Sequence, residues 1–166
     1  MTNEMAKDIT RSIDYRICLH MLNGATGTAE TWDATVPAGY KAKEWYETLA
    51  HKIIAVEDGF FGTEYGARGD YIVCGRVPLK YIRMMQNFVP TPRNQPGGPL
   101  GNWKMGVNYI GSIEGFWDVY ETNLAAFNNT ILVGCYPSSK INASYIYGPY
   151  IPLTPMPLVY AEFKPY

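Results

Sequence analysis

Thiols, imidazoles and paired carboxylates are the side chains with which a protein of this size would do chemistry. The chain has three cysteines, Cys18, Cys74 and Cys135, and two histidines, His20 and His51. A structural zinc site needs four nitrogen or sulfur ligands converging on one point. Cys18 and His20 stand two apart on a stretch with helical periodicity, so they face different directions. A Cys-His nucleophile pair requires the two groups to meet in space, and no local catalytic signature accompanies any of these residues. Buried, inert cysteine is the commoner state. Glu44 and Glu47 fit a solvated helix face better than a general acid and base. The segment Gly62-Thr63-Glu64-Tyr65-Gly66 lacks the Lys-Ser/Thr ending of a phosphate-binding loop, and Gly97-Gly98 is followed by Pro99. Arg68-Gly69-Asp70 spells an adhesion tripeptide, but a glycine that permits a tight turn into a strand explains it as well. The expectation is a chain with no catalytic residue, no cofactor and no metal.

Composition narrows the classes further. The 166 residues fit one domain and one main core. Hydrophobic residues make up 47% of the chain and charged residues 17%, which implies apolar surface to be covered by neighbouring subunits. A formal net charge of −1 removes the basic footprint of a protein that grips nucleic acid. Three widely spaced cysteines argue against a disulfide framework and for a reducing compartment. There is no apolar run long enough to span a membrane and no leader pattern, so the chain reads as made in the cytoplasm. The sequons at Asn128 and Asn142 are therefore read as incidental.

The elements that would position any site follow from periodicity. Met5, Ile9, Ile13 and Ile17 recur every four residues between charged positions, which predicts an amphipathic helix ending at Asn23-Gly24. It is already under way at residue 3 without a capping box, so its start is expected further upstream. Residues 24–40 read as a loop. Trp45, Leu49, Ile53 and Val56 predict a second helix that ends or turns irregularly at Asp58-Gly59. A strand is expected at Asp70 to Cys74, then a short helix opening at Pro78. Prolines and glycines crowd residues 87–102 and exclude helix and central strand there. Strands are expected at Val107 to Ile110, Ile113 to Tyr120, Thr130 to Tyr136, Tyr145 to Ile151 and Leu158 to Phe163. The fold class is α+β, helices early and strands late. Tyr145, Tyr147, Tyr150, Tyr160 and Tyr166 suit either an interface or a β-rich core.

In these strands a family resemblance emerges. Ile131-Leu132-Val133-Gly134-Cys135-Tyr136, followed by Tyr147-Gly148-Pro149-Tyr150-Ile151-Pro152-Leu153, resembles the C-terminal signature of T-even-like myovirus major capsid proteins. Arg68-Gly69-Asp70-Tyr71-Ile72-Val73 stands where that family has an Arg-Gly turn before a core strand, and Gly115 to Tyr120 resembles its Val-Tyr strand. The helix ending at Leu22-Asn23-Gly24 looks like the end of the family's spine helix. Glu121, Thr122 and Asn123 depart from the Asp-Pro that usually follows the Val-Tyr pair, and Val77 is no helix cap.

The resemblance implies the Hong Kong 97-type capsid fold, with residues 1–40 as the end of the spine helix and a loop, 41–143 as an axial domain and 144–166 as strands returning to the peripheral domain. Arg68, Gly69, Val119, Tyr120, Gly134, Pro149, Tyr150 and Pro152 would be its motif residues, and Pro96, Gly97, Gly98 and Pro99 an interface loop. It implies a bacteriophage shell subunit in hexamers and pentamers around double-stranded DNA that it does not bind specifically. Scaffold, portal and decoration proteins would be its partners, and the virion capsid its location. The family's longer members carry further segments ahead of the matched region. Two other readings stand beside it: an encapsulin-like nanocompartment shell protein, and a β-rich binding module or hydrolase, which would show a concave pocket with convergent polar groups.

Overall fold

The computed structural model describes residues 2–25, 29–61, 68–91, 107–136 and 148. Two long helices come first, α1 (Thr2–Gly24) and α2 (Ala42–Phe61). They are followed by β1 (Tyr71–Cys74), α3 (Arg76–Ile82), β2 (Phe88–Pro90), β3 (Val107–Ile113) and β4 (Trp117–Thr122). A 3₁₀ turn at Ala125–Phe127 leads to β5 (Ile131–Gly134). The α+β class holds.

The strands form one sheet in the order β2-β3-β4-β1-β5. β1 runs parallel to β4 and antiparallel to β5, while β2, β3 and β4 pair antiparallel in succession. Alternation along each strand separates two faces. One face presents Ile72, Cys74, Ile113, Trp117, Val119 and Val133 to Leu49 and Ile53 of α2 and Leu79 and Ile82 of α3. The other carries Val73 beside Cys18 of α1, Leu124 and Phe127, with Tyr71, Val107, Tyr120 and Leu132 around them.

The amphipathic stripe of α1 is there, and it is covered unevenly. Ile13 and Ile17 are half-buried and Cys18 is buried, but Met5 is 65% exposed and Ile9 37%. Its C-terminal turns pack on the sheet through Cys18 and Leu22. The loop that follows is strapped to α2 by two indoles: Trp32 Nε1 donates to Thr48 Oγ1 at 2.9 Å, and Trp45 Nε1 donates to the Asp33 carbonyl at 2.8 Å. Trp32 also meets Tyr81 of α3 edge-on, at 5.3 Å between centroids.

Several expectations need correction. α2 does not end at Asp58-Gly59 but runs on to Phe61. The short helix opens at Arg76 rather than Pro78, with extended Gly75 before it. Leu79 N–H makes the first helical bond, to Gly75 O at 3.2 Å, so Pro78 lies in the first turn, where its missing N–H costs nothing. A Cβ at residue 75 would overlap the Phe127 carbonyl, so a capping side chain is sterically excluded there. The proline-rich stretch from 87 begins with strand β2, placed at the edge, where Pro90 is tolerated.

The two strands expected at Val107 to Ile110 and Ile113 to Tyr120 are divided differently. β3 is continuous through Ile113, with a bulge between Tyr109 and Gly111 that brings Ile110 and Ile113 onto the α2 side. A tight turn at residues 114–116 then interrupts the apolar run. Glu114 and Gly115 both have positive φ, 54° and 75°, and Phe116 N–H closes the turn on Ile113 O at 3.0 Å. The expected strands at Tyr145 to Ile151 and Leu158 to Phe163 lie outside the described residues.

Candidate assembly surface

Five of the motif residues come together around β1. The N–H of Gly69 donates to Glu57 Oε1 at 3.3 Å, and Arg68 Nε lies 3.9 Å from the same carboxylate oxygen. The reason for glycine at 69 differs from the expected one. Its φ is not positive, and a Cβ there would press on Val133 Cγ1 at 3.1 Å and Trp117 Nε1 at 3.4 Å. Close packing of the turn under α2 leaves little room for a side chain, since Val133 would have to give way to a Cβ. Gly134 is a stronger case, because a Cβ would run into the Tyr71 ring paired with it across β1 and β5. Val119 is fully buried opposite Ile72, and Tyr120 sits opposite Val73 on the other face. Pro149, Tyr150, Pro152 and the loop residues Pro96, Gly97, Gly98 and Pro99 lie outside the described residues.

Four tyrosines form a chain of contacts on the α1 side of the sheet. Tyr109 and Tyr120 are register partners with ring centroids 5.5 Å apart. The Tyr120 and Tyr136 hydroxyls share a hydrogen bond of 3.2 Å, and Tyr136 packs on Tyr71 at 5.1 Å. Tyr136 is itself 55% exposed, and its N–H is held by Asp70 Oδ2 at 2.7 Å. The carboxylate of the Arg-Gly-Asp tripeptide is thus engaged inside the chain. The sequence motifs contained Tyr71, Tyr120 and Tyr136 but gave no sign that they and Tyr109 touch, although Tyr71, Tyr109 and Tyr120 occupy same-face positions that strand alternation makes legible.

The electrostatics of these groups favour their neutral forms. Burial pushes the Tyr120 phenol up, with the Tyr136 hydrogen bond adding to it. Tyr71 is raised by burial and then by the negative charge that Cys135, Tyr136, Asp70 and Cys18 would carry. The thiols behave alike. Cys74 is pushed up to about 12, chiefly by burial and then by Glu121, and burial also raises Cys18 and Cys135. A catalytic thiol needs the reverse shift. Among the described residues no three His, Cys, Asp or Glu side chains gather to hold a metal ion. Cys18 is buried and His20 exposed, on different sides of α1. Glu44 is solvated beside Lys41, at 3.7 Å.

A groove of about 340 Å³ runs between α1 and the segment after β4, lined by Asp8, Arg11, Ser12, Tyr15, Asn123, Leu124 and Ala125. It is open to solvent rather than enclosed, unlike the concave, ligand-burying sites of enzymes. What the arrangement offers is surface for contact: the uncovered half of the α1 stripe and the tyrosine face, both aromatic or apolar with polar margins.

Comparison with known proteins gives these surfaces a context. Residues 1–165 match the family model of the major capsid protein Gp23. The major capsid protein of Vibrio phage KVP40 is 28% identical over 136 residues, covering 80% of this chain and 26% of the relative. The chain therefore spans about a quarter of the length of that relative. No solved structure matches. The T-even-like resemblance first legible in the strand motifs is thereby borne out, and the chain belongs to the Gp23 major capsid protein family.

Proposed function

We propose that these residues form part of the structural subunit of a bacteriophage icosahedral capsid, a shell protein that self-assembles around double-stranded DNA and turns over no substrate. The observation that carries the reading is the family match over residues 1–165, supported by a relative that is itself a major capsid protein. Raised thiols, an open groove and uncovered apolar surface fit that role. No helix among the described residues is long and apolar enough to cross a membrane. The nanocompartment and hydrolase readings gain no support from the comparisons.

The finer assignment is part of the same proposal. The Hong Kong 97-type fold would divide the chain into residues 1–40, 41–143 and 144–166, the middle part being the axial domain. In favour of that division, the described sheet strands fall between residues 71 and 134, and α1 packs on the sheet through Cys18 and Leu22 of its final turns. The exposed Met5 and Ile9 then belong to a helix whose apolar stripe is completed by peripheral elements. Hexamers and pentamers, scaffold, portal and decoration proteins, and packaged DNA are the partners this reading entails. Pro96, Gly97, Gly98 and Pro99 would meet a neighbouring subunit or a decoration protein.

The test is the native mass of the complete gene product that contains these residues, measured by light scattering or single-particle mass analysis. A megadalton species is expected. A species of one or two chains under conditions that preserve virions would overturn the proposal.

A further inference from the structure

Charge is distributed unevenly over the described residues. β1 and β4 run parallel, and their starts lie side by side, the Asp118 N–H donating to Asp70 O at 2.9 Å. The 114–116 turn stands at the same end of the sheet, and the contact of Glu57 with Gly69 brings the last turns of α2 there. Asp58, Asp70, Glu114 and Asp118 therefore share one end of the molecule with Arg68, which pairs with Glu57. Asp58 and Glu114 are exposed, and Asn87 Nδ2 holds the Glu114 carboxylate outward at 2.6 Å. Phe116, 68% exposed, projects from the same turn.

α3 leaves from the opposite end of β1. Its buried face is Pro78, Leu79 and Ile82. Arg76, Lys80 and Arg83, spaced four and three apart, are all exposed on its outer side. Arg83 has Glu121 at 4.0 Å, whereas Arg76 and Lys80 have no ion pair among the described residues. Val77 and Met84 are exposed beside them. The α3 face thus combines apolar side chains with an excess of cations, and the sheet end combines Phe116 with an excess of acids around the pair of Arg68 and Glu57. The two excesses are opposite in sign, as in an interface core with a complementary rim.

We infer that the outer face of α3 docks on the acidic end of the sheet of a second copy of the chain. The inference rests on the shell reading and names one of its contacts. Two different patches in contact make a head-to-tail interface, and repetition of such an interface about an axis closes a ring. Phosphate is the weaker occupant for the basic face. Three cations on two turns of helix make few phosphate contacts, and the formal net charge of the chain is −1.

The test is assembly of the complete gene product carrying Arg76→Glu with Lys80→Glu, Asp58→Lys with Glu114→Lys, or all four changes. Each pair places like charges in contact and is expected to lower the assembled fraction at least about tenfold, with the fourfold variant recovering it. If the wild type itself forms no particle, the shell reading falls and this contact with it. If the wild type assembles and the α3 pair assembles equally well, the contact alone is refuted. It is refuted in the same way if both pairs fail and their combination does not recover. Normal assembly with loss of nuclease-protected DNA would transfer the basic face to nucleic acid and likewise overturn the inference.

Discussion

The same strands build two unlike faces. Toward α2 and α3, Ile72, Cys74, Ile113 and Val119 are almost wholly removed from water, and Ile82 closes over them. Toward α1, alternate residues of the same strands give a small cluster around Phe127 and Val73, then a run of tyrosines that keep their hydroxyls hydrogen-bonded or wet. The first face is completed within the chain, and the stability of the fold resides there. The second is a surface of large amphipathic side chains that gain most from further burial by another protein surface.

That division is tested most severely by Ile82→Ala. A fully buried isoleucine removed from the α2 side should cost about 2–5 kcal/mol, read as a shift in the urea midpoint. A loss below about 1 kcal/mol would mean that this face is loosely packed. Alkali probes the same face. The folded Cys74 pKa is raised from 9.0 to about 12, so its contribution is fully present below pH 9 and is lost as pH rises toward 12. Stability should fall there by at most about 1.4 kcal/mol per pH unit from this group, and Cys74→Ala should flatten the slope.

Gly134→Ala moves to the other face. Its new methyl group meets the Tyr71 ring and should cost about 1–3 kcal/mol, with altered tyrosine near-ultraviolet dichroism. The smallest effect on folding is expected for Tyr136→Phe, which removes one exposed hydroxyl hydrogen bond worth about 0.5–1.5 kcal/mol at most. If the tyrosine face is an assembly surface, Tyr136→Ala should reduce the yield of particles more than it reduces the unfolding midpoint. Equal losses would remove the distinction between the faces.

Local signals were legible and long-range ones were not. α1, the start of α2, β1 and β5 follow from spacing and composition, because each is fixed by its own side chains. The turn at 114–116 is disguised by apolar residues on both sides and by Glu114, a residue type with little preference for positive φ. α3 begins two residues earlier than Pro78 suggests, because Gly75 is dictated by the Phe127 carbonyl, a neighbour 52 positions away. β2 hides in a proline-rich stretch since an edge strand tolerates what a central one excludes. Family motifs located Gly69 and Gly134, but their reasons, contact with Val133 and with the Tyr71 ring, required the register of β5 on β1. The charged patches were present in the sequence as scattered residues, and only the parallel pairing of β1 with β4 collects the acids.

That pairing also sets an order of events during synthesis. β1 is made first of the described strands, yet its two neighbours in the sheet are β4 and β5, the last two of them. At about 5–20 residues per second, several seconds separate the emergence of Tyr71 from that of its partners Asp118 and Gly134. During that interval Ile72 and Val73 lack the two described strands that flank them in the sheet, and the nascent chain offers a short apolar β segment to whatever binds such segments at the ribosome exit. The interior strand β1 is thus the part of the sheet most dependent on protection before translation has passed β5.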